Sequence, residues 1–229
     1  MQKAKIAGKV KCIKEANFAA VIKHGKIIKG NLIEKKESVY NDRGYQTLEK
    51  IYYKDESLIS KSIFIYNEKG SLVEKQNYDG DGGPLYNCKF VYDNKGNQIE
   101  EQVYNNDGSL RVKYNNVYDD KGYQLESKWY QMEGRSYSEK NKYVYDSKGN
   151  QIELQFYNMD GKLIYKNKYV YDGKGNQIEK RFYDIKGTLS STAGYKYTYD
   201  SRGNWITRLE SEYDGKLLHY LEREIEYFD

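Results

Sequence analysis

The sequence predicts an all-β protein, and three observations carry that prediction. A turn motif of the form Tyr-Asp/Asn-x-Lys/Arg-Gly recurs seven times along the chain. Apolar and polar residues alternate between the turns, and no helical stripe competes with this alternation. Pro84 is the only proline among 229 residues, as expected where nearly every backbone N–H is needed in a strand ladder.

The predicted architecture is a single-layer antiparallel β-meander of about 16 strands. A sheet of this size does not stay flat, because strand twist accumulates. We therefore expect it to coil into a superhelical ribbon or partial shell, and a closed soluble barrel is the alternative. A transmembrane barrel is disfavoured because its outer face must be apolar, and Glu101, Lys180 and Arg208 interrupt the more apolar face.

The repeats are the strongest evidence for this architecture. Successive motifs are spaced 26, 26, 26, 27, 26 and 28 residues apart, and a fixed period of this size is typical of repeat proteins. The opening residues are Tyr40, Tyr66, Tyr92, Tyr118, Tyr145, Tyr171 and Tyr199.

Each motif predicts a tight turn. An Asp or Asn stands at the first turn position and a Gly at the fourth, which is the preference of a type I turn followed by a left-handed glycine. A second turn, such as Asn105–Gly108 or Asn158–Gly161, divides each period. Its copy at Tyr130–Gly134 is degenerate, and its copy at Asp214-Gly215 is shorter. Each period is therefore a double hairpin, and strands joined by tight turns must be antiparallel neighbours. The first and fourth turn residues are Asn41/Gly44, Asn67/Gly70, Asp93/Gly96, Asp119/Gly122, Asp146/Gly149, Asp172/Gly175 and Asp200/Gly203.

Two regions are expected along the chain. Residues 1–39 form basic capping strands or a hairpin, with a turn at His24-Gly25, and residues 40–229 form seven repeats in one continuous unit. Residues 1–36 contain ten Lys and two Glu, so this opening segment differs in charge from the repeats. We expect it to cover the first strand edge, as terminal repeats often do.

Composition indicates a folded protein with a thin core. The chain is only 38% hydrophobic and carries a net charge of +4, but it contains 27 Tyr. Tyrosine suits half-exposed positions because its ring is apolar and its hydroxyl can remain hydrated. Cys12 and Cys88 are interpreted as ordinary thiols, and their pairing stays open.

The motif resembles that of the YD or RHS (rearrangement hot spot) repeat family. The resemblance covers residues 40–229 and is clearest at Tyr143–Asp146, Tyr169–Asp172 and Tyr197–Asp200. It implies β-ribbons that spiral into shells. It also implies a bacterial protein of the cell surface or the periplasm, or a secreted protein whose leader has been trimmed. A native start at Met1 would instead indicate the cytoplasm. It also implies carbohydrate binding or enclosure of a toxin. This chain has a longer period than the family and no toxin module.

No catalytic or metal-binding constellation is predicted. His24 and His219 have no partners at metal-ligand spacing, and the aspartates of the turns offer too few oxygens for calcium. The sequence contains no nucleophile elbow and no phosphate-binding loop. We therefore expect a protein that is not an enzyme and that uses no cofactor or metal.

A row of basic residues is the first candidate surface. The third turn position of every motif is basic, and in a meander these turns lie about 9.6 Å apart along one edge. Two interpretations stay open, a row that binds an anionic polymer and a set of solvated turn residues. Nucleic-acid binding is disfavoured at a charge of +4. The row consists of Arg43, Lys69, Lys95, Lys121, Lys148, Lys174 and Arg202.

A tyrosine-rich sheet face is the second candidate surface. It could bind carbohydrate or a protein partner by stacking, or it could be cross-strand packing. The favoured function is a non-enzymatic binding or scaffold protein, and the alternative is an immunity or antitoxin-like protein that neutralises a toxin. No transmembrane segment is predicted, and free sheet edges would permit edge-to-edge self-association. The candidate tyrosines are Tyr92, Tyr143, Tyr145, Tyr169, Tyr171, Tyr197 and Tyr199.

Overall fold

The computed structural model describes residues 6–24, 26–131, 138–212 and 217–228. Sixteen strands and no helix are found there. The strands are β1 Val10–Lys23, β2 Lys26–Tyr40, β3 Gln46–Tyr53, β4 Leu58–Tyr66, β5 Leu72–Asp79, β6 Pro84–Tyr92, β7 Gln98–Tyr104, β8 Leu110–Tyr118, β9 Gln124–Gln131, β10 Ser138–Tyr145, β11 Gln151–Tyr157, β12 Leu163–Tyr171, β13 Gln177–Tyr183, β14 Leu189–Tyr199, β15 Trp205–Glu212 and β16 Leu217–Tyr227.

The sheet closes on itself. Each strand pairs with its neighbours in sequence, and β1 also pairs antiparallel with β16, so that the order forms a closed barrel. Ile13 shows both pairings, with Ser38 of β2 on one side and Ile225 of β16 on the other. The prediction of an open ribbon is therefore wrong, and the closed alternative is confirmed. The N-terminal strands were expected to cover one edge, but β1 joins the two ends of the meander.

Closure removes the basis for edge-to-edge self-association. That expectation required a terminal strand with unpaired N–H and C=O groups. In the barrel every strand, including β1 and β16, has a hydrogen-bonded neighbour on both sides.

Two compact units can be distinguished, and each has its own buried residues. Within the described residues, the first unit comprises 66–75 and 86–192, and the second comprises the remainder. The first buries Cys88, Tyr169 and Asn167, and the second buries Ile13 and Leu221 among others. No large side chain in the described ranges is fully buried, which agrees with the thin core predicted from composition.

The predicted turn conformation is confirmed. In all seven motifs the glycine has a φ between +78° and +85°. Its N–H donates to the carbonyl oxygen of the opening Asp or Asn, at 2.9–3.1 Å. At Asp146 the carboxylate Oδ1 also accepts the N–H groups of Lys148 (2.9 Å) and Asn150 (2.8 Å).

The second turns predicted at Tyr130–Gly134 and Asp214-Gly215 extend outside the described residues. β1 and β2 pair as the predicted hairpin requires, as far as Lys23 with Lys26, and Gly25 of the predicted turn lies outside the described residues.

Among the glycines of the seven motifs, Gly149 is the one whose added Cβ would meet the closest atom. Its φ is +85°, and an added Cβ would lie 2.6 Å from Tyr123 Oη. We expect Gly149→Ala to lower the free energy of unfolding by about 2–3 kcal/mol, combining left-handed strain and overpacking. Gly96→Ala is the matched control, because it has the same φ and no atom within 4 Å of the added Cβ. Denaturant titration should show a loss of only about 1 kcal/mol there, and equal losses would contradict a role for Tyr123.

Candidate functional site: an exposed groove and a tyrosine-rich face

A groove of about 670 Å³ lies in the second unit, across β3, β2, β1, β16 and β15. Most of its lining lies on strands, and Glu56 comes from the turn between β3 and β4. Its lining residues are Lys14, Glu15, Ala16, Lys35, Lys36, Glu37, Tyr52, Glu56, Ile206, Thr207, Glu222, Arg223 and Glu224.

A small side chain at its centre helps to explain the groove. Ala16 lies opposite Lys35 of β2 and Glu222 of β16. Side chains directly opposite on antiparallel strands share a face, so a short methyl group stands between two long side chains. Lys14, two residues earlier on β1, lies opposite Glu37 and Glu224. Long charged side chains therefore surround the methyl group of Ala16, which forms the floor of the groove.

The charges around the groove are mostly paired. Lys35 forms an ion pair with Glu56, and Glu222 forms one with Lys29. Glu37 accepts a hydrogen bond from Tyr52 Oη at 3.3 Å. Burial, followed by the effect of Glu37, raises the pKa of Tyr52 above its usual value. The groove therefore presents both hydrogen-bond donors and hydrogen-bond acceptors, beside the aromatic ring of Tyr52.

A second charged cluster alternates along the same strands with Ala16, Lys35 and Glu222, and its members Glu15, Lys36 and Arg223 also line the groove. Glu15 lies opposite both Arg223 and Lys36. Its Oε2 accepts from Arg223 Nε at 2.8 Å, and its Oε1 is 3.6 Å from Lys36 Nζ. The guanidinium of Arg223 stacks on Trp205, 3.3 Å from the ring centroid. Burial raises the pKa of Glu15, but Lys36 and Arg223 outweigh burial and hold that pKa below its usual value.

Two of the candidate tyrosines form hydrogen bonds from one strand to another. Tyr92 and Tyr171 end β6 and β12, and their hydroxyls donate to the carbonyls of Leu72 and Gln151 at 2.9 and 2.8 Å. Tyr118 makes the same bond from the end of β8. Leu72 and Gln151 open β5 and β11, so each tyrosine reaches across to the start of a strand. The repeated tyrosine thus has a structural role that the motif alone did not reveal.

The other candidate tyrosines are half-buried or buried. Tyr143 Oη lies 2.9 Å from Ser127 Oγ, and only 8% of Tyr169 is exposed. Burial, with smaller effects from Tyr143 and other neighbours, raises the pKa of Tyr145 to about 12. Tyr197 lies near both Tyr199 and Trp205, with ring centroids 6.3 and 6.0 Å apart. A ligand-binding role for this face stays a prediction, because the rings are engaged in packing.

The basic row lies on exposed turns, as its position in the motif requires. Each of the seven side chains is exposed. Arg202 stacks on Tyr227, with its guanidinium carbon 3.8 Å from the ring centroid. Lys95 Nζ lies 3.5 Å from Asp120, which is also exposed. Binding of an anionic polymer by this row stays a prediction.

No group of metal-ligating side chains is found within the described ranges. His219 Nδ1 lies 3.0 Å from Asn17 Oδ1. Cys12 and Cys88 are both free and buried. Burial, followed by Glu101, raises the pKa of the Cys88 thiol to about 11.

Sequence reasoning missed the groove entirely. Ala16 and Glu222 belong to strands that closure brings together, and no local pattern marks these residues or Tyr52. The unusual lengths of β1 and β2, at 14 and 15 residues, became visible only in the structure.

Comparison with known proteins shows the fold. No family model matches the chain, and no curated protein matches it. A porin-like protein from Bacteroides uniformis matches 99% of this chain and 100% of its own, with a TM-score of 0.61 and 11% identity. At that identity the match establishes a shared barrel fold alone.

Two other structural matches are weaker. A Tc holotoxin pore from Photorhabdus luminescens matches 89% of this chain and 12% of its own, with a TM-score of 0.36 and 14% identity. A putative outer membrane lipoprotein-sorting protein domain from Vibrio parahaemolyticus has a TM-score of 0.32 and 10% identity, over 94% of this chain and 86% of its own. Neither similarity is high enough to support an argument. In the part of the chain that the structure describes, no helix could cross a membrane.

Proposed function

We propose that this chain is a non-enzymatic binding protein whose ligand is a carbohydrate held in the groove over Ala16. The observation that supports this best is the combination of paired charges and one aromatic ring in an open groove of about 670 Å³. Sugar hydroxyls both donate and accept hydrogen bonds, so they suit a surface where carboxylates and ammonium groups alternate. Ligand sites commonly combine such polar groups with apolar or aromatic surface.

Tyr52 is the ring on which a sugar would stack. It is half-buried, and its hydroxyl is fixed by Glu37, so the ring is held in place before a ligand arrives. The YD/RHS resemblance supports a carbohydrate ligand, although that resemblance rests on the turn motif. An experiment must distinguish this proposal from two alternatives. One is binding of a segment of a protein partner, and the other is binding of a ligand on the tyrosine-rich face.

We expect Tyr52→Ala to weaken binding of a glycan identified on an array by about tenfold or more. Loss of the ring removes the stacking surface and leaves Glu37 without one of its donors. Affinity measured by calorimetry, with melting temperature as a check on folding, tests this expectation.

Tyr53→Ala is the matched control. Tyr53 is adjacent in sequence, is 54% exposed and does not line the groove, so its loss should leave affinity unchanged. A double variant, Tyr143→Ala with Tyr169→Ala, tests the other face. Loss of binding in that variant, with Tyr52→Ala unaffected, would move the site to the tyrosine-rich face and refute the groove.

A further inference from the structure

Cations outnumber carboxylates in the charged cluster around Glu15. Arg223, Lys36 and Arg208 converge there with Glu15. Arg208 lies opposite Leu221, which is two residues before Arg223 on β16, so the two guanidinium groups share a face. Arg208 favours the ionised form of Glu15 and disfavours that of Arg223, as expected for charges in one cluster.

The single carboxylate is already engaged. One oxygen of Glu15 accepts from Arg223 Nε, and the other faces Lys36. Glu210 lies two residues beyond Arg208 on β15, but no ion pair joins them. Arg208 therefore has a positive charge that Glu15 does not compensate through a hydrogen bond.

Arg208 also has an unsatisfied donor. Its Nε is buried and finds no hydrogen-bond partner among the described residues. Its guanidinium lies beside Trp205 and Tyr195, with centroid distances of 5.6 and 5.8 Å. Aromatic faces attract a cation but do not replace a hydrogen-bond acceptor, and a buried donor without an acceptor is costly.

We propose that Arg208 and Arg223 form a binding site for one oxyanion, the phosphate or carboxylate group of a small ligand. Guanidinium groups suit this task because their fixed, planar donors match the oxygens of both groups. Arg223 is oriented by Glu15 and Trp205, while Arg208 supplies the free donor. The cluster is partly exposed, since Glu15, Arg223 and Lys36 keep side-chain exposures of 15%, 21% and 37%.

The test is calorimetry and thermal melting of the full chain with inorganic phosphate or acetate, against sodium chloride at equal ionic strength. We expect saturable binding of one anion per chain and a higher melting temperature. Arg208→Gln should weaken binding by about tenfold or more, because a charge-assisted hydrogen bond is lost. A response to phosphate alone identifies a phosphate group, and a response to both anions identifies a site that also takes carboxylate.

A reversal of stability provides an independent readout. In chloride alone, Arg208→Gln should melt at a higher temperature than the wild type, because the variant lacks the uncompensated charge. In saturating phosphate the order should reverse. Lys148→Gln, which removes an exposed cation in the first unit, should behave as the wild type in both buffers. Two results would overturn the proposal. One is an equal rise in melting temperature with phosphate in the wild type and in Arg208→Gln, and the other is a rise in the wild type no larger with phosphate than with chloride.

Discussion

Replacing Glu15 by glutamine is expected to lower the free energy of unfolding by about 3 kcal/mol or more. The change leaves Arg223 and Lys36 on a largely buried face without their carboxylate. Removing one member of a buried ion pair is costly because the remaining charge stays desolvated and unpaired. Urea denaturation of both proteins at neutral pH measures the difference.

The ion pair of Glu15 and Arg223 also predicts that the free energy of unfolding depends on pH. The pKa of Glu15 in the folded protein is held below its usual value of 4.5. A carboxyl group with a depressed pKa stabilises the fold above its unfolded-state pKa, and this contribution is lost as the pH falls through the folded-state pKa. The stability gap between wild type and Glu15→Gln should therefore be full at neutral pH and should narrow in acid below about pH 4.5.

Glu226→Gln is the matched control. Glu226 pairs with Lys11 across the same two strands, but both side chains are more than half exposed. Exposed ion pairs contribute little, so this variant should remain close to the wild type. If both variants lost the same stability, the buried cluster would have no special role in holding β1 against β16.

Gly80→Ala is the second substitution expected to have a large effect. Gly80 lies in the turn between β5 and β6, and an added Cβ would lie 2.0 Å from the carbonyl oxygen of Leu58. The obstructing atom belongs to the backbone at the start of β4, so no side-chain rotation can relieve the clash. We expect a loss of about 3 kcal/mol or more, at the upper end of overpacking costs, measured as a lower denaturation midpoint.

Gly173→Ala controls for the loss of glycine itself. Gly173 also lies in a turn, but its φ is not positive and no atom lies within 4 Å of an added Cβ. This variant should be neutral or more stable by about 0.4–1 kcal/mol, because alanine restricts the unfolded chain. A comparable loss at both positions would show that backbone freedom, and not the contact with Leu58, decides the effect at Gly80.

Much of the fold could be predicted because its signals are local. Each turn is specified by an Asp or Asn and by a glycine three residues later, and the structure places Gly44 and Gly203, at the two ends of the repeat series, in the same left-handed conformation. Closure was harder to predict. Residues such as Ile13 and Ile225, which pair across the seam, are far apart in sequence and have no motif in common.

The candidate site could not be predicted for a related reason. The groove requires Ala16, Lys35 and Glu222 to lie side by side, and that arrangement exists only after β1 has paired with both of its neighbours. The tyrosine rows were visible in sequence, but the carbonyl acceptor of Tyr171 was not. Register shifts such as the one between Val144 and Tyr145 add residues that a pattern of alternation does not reveal.

The antiparallel junction of β1 with β16 restricts how this protein can change in size. Each repeat adds one ascending and one descending strand, so deletion of a whole repeat would leave the first and last strands still running in opposite directions. Loss of a single strand would make them meet in parallel, with a different hydrogen-bond pattern. Insertions and deletions during evolution should therefore be tolerated in units of one period, giving relatives with 14 or 18 strands but none with an odd number.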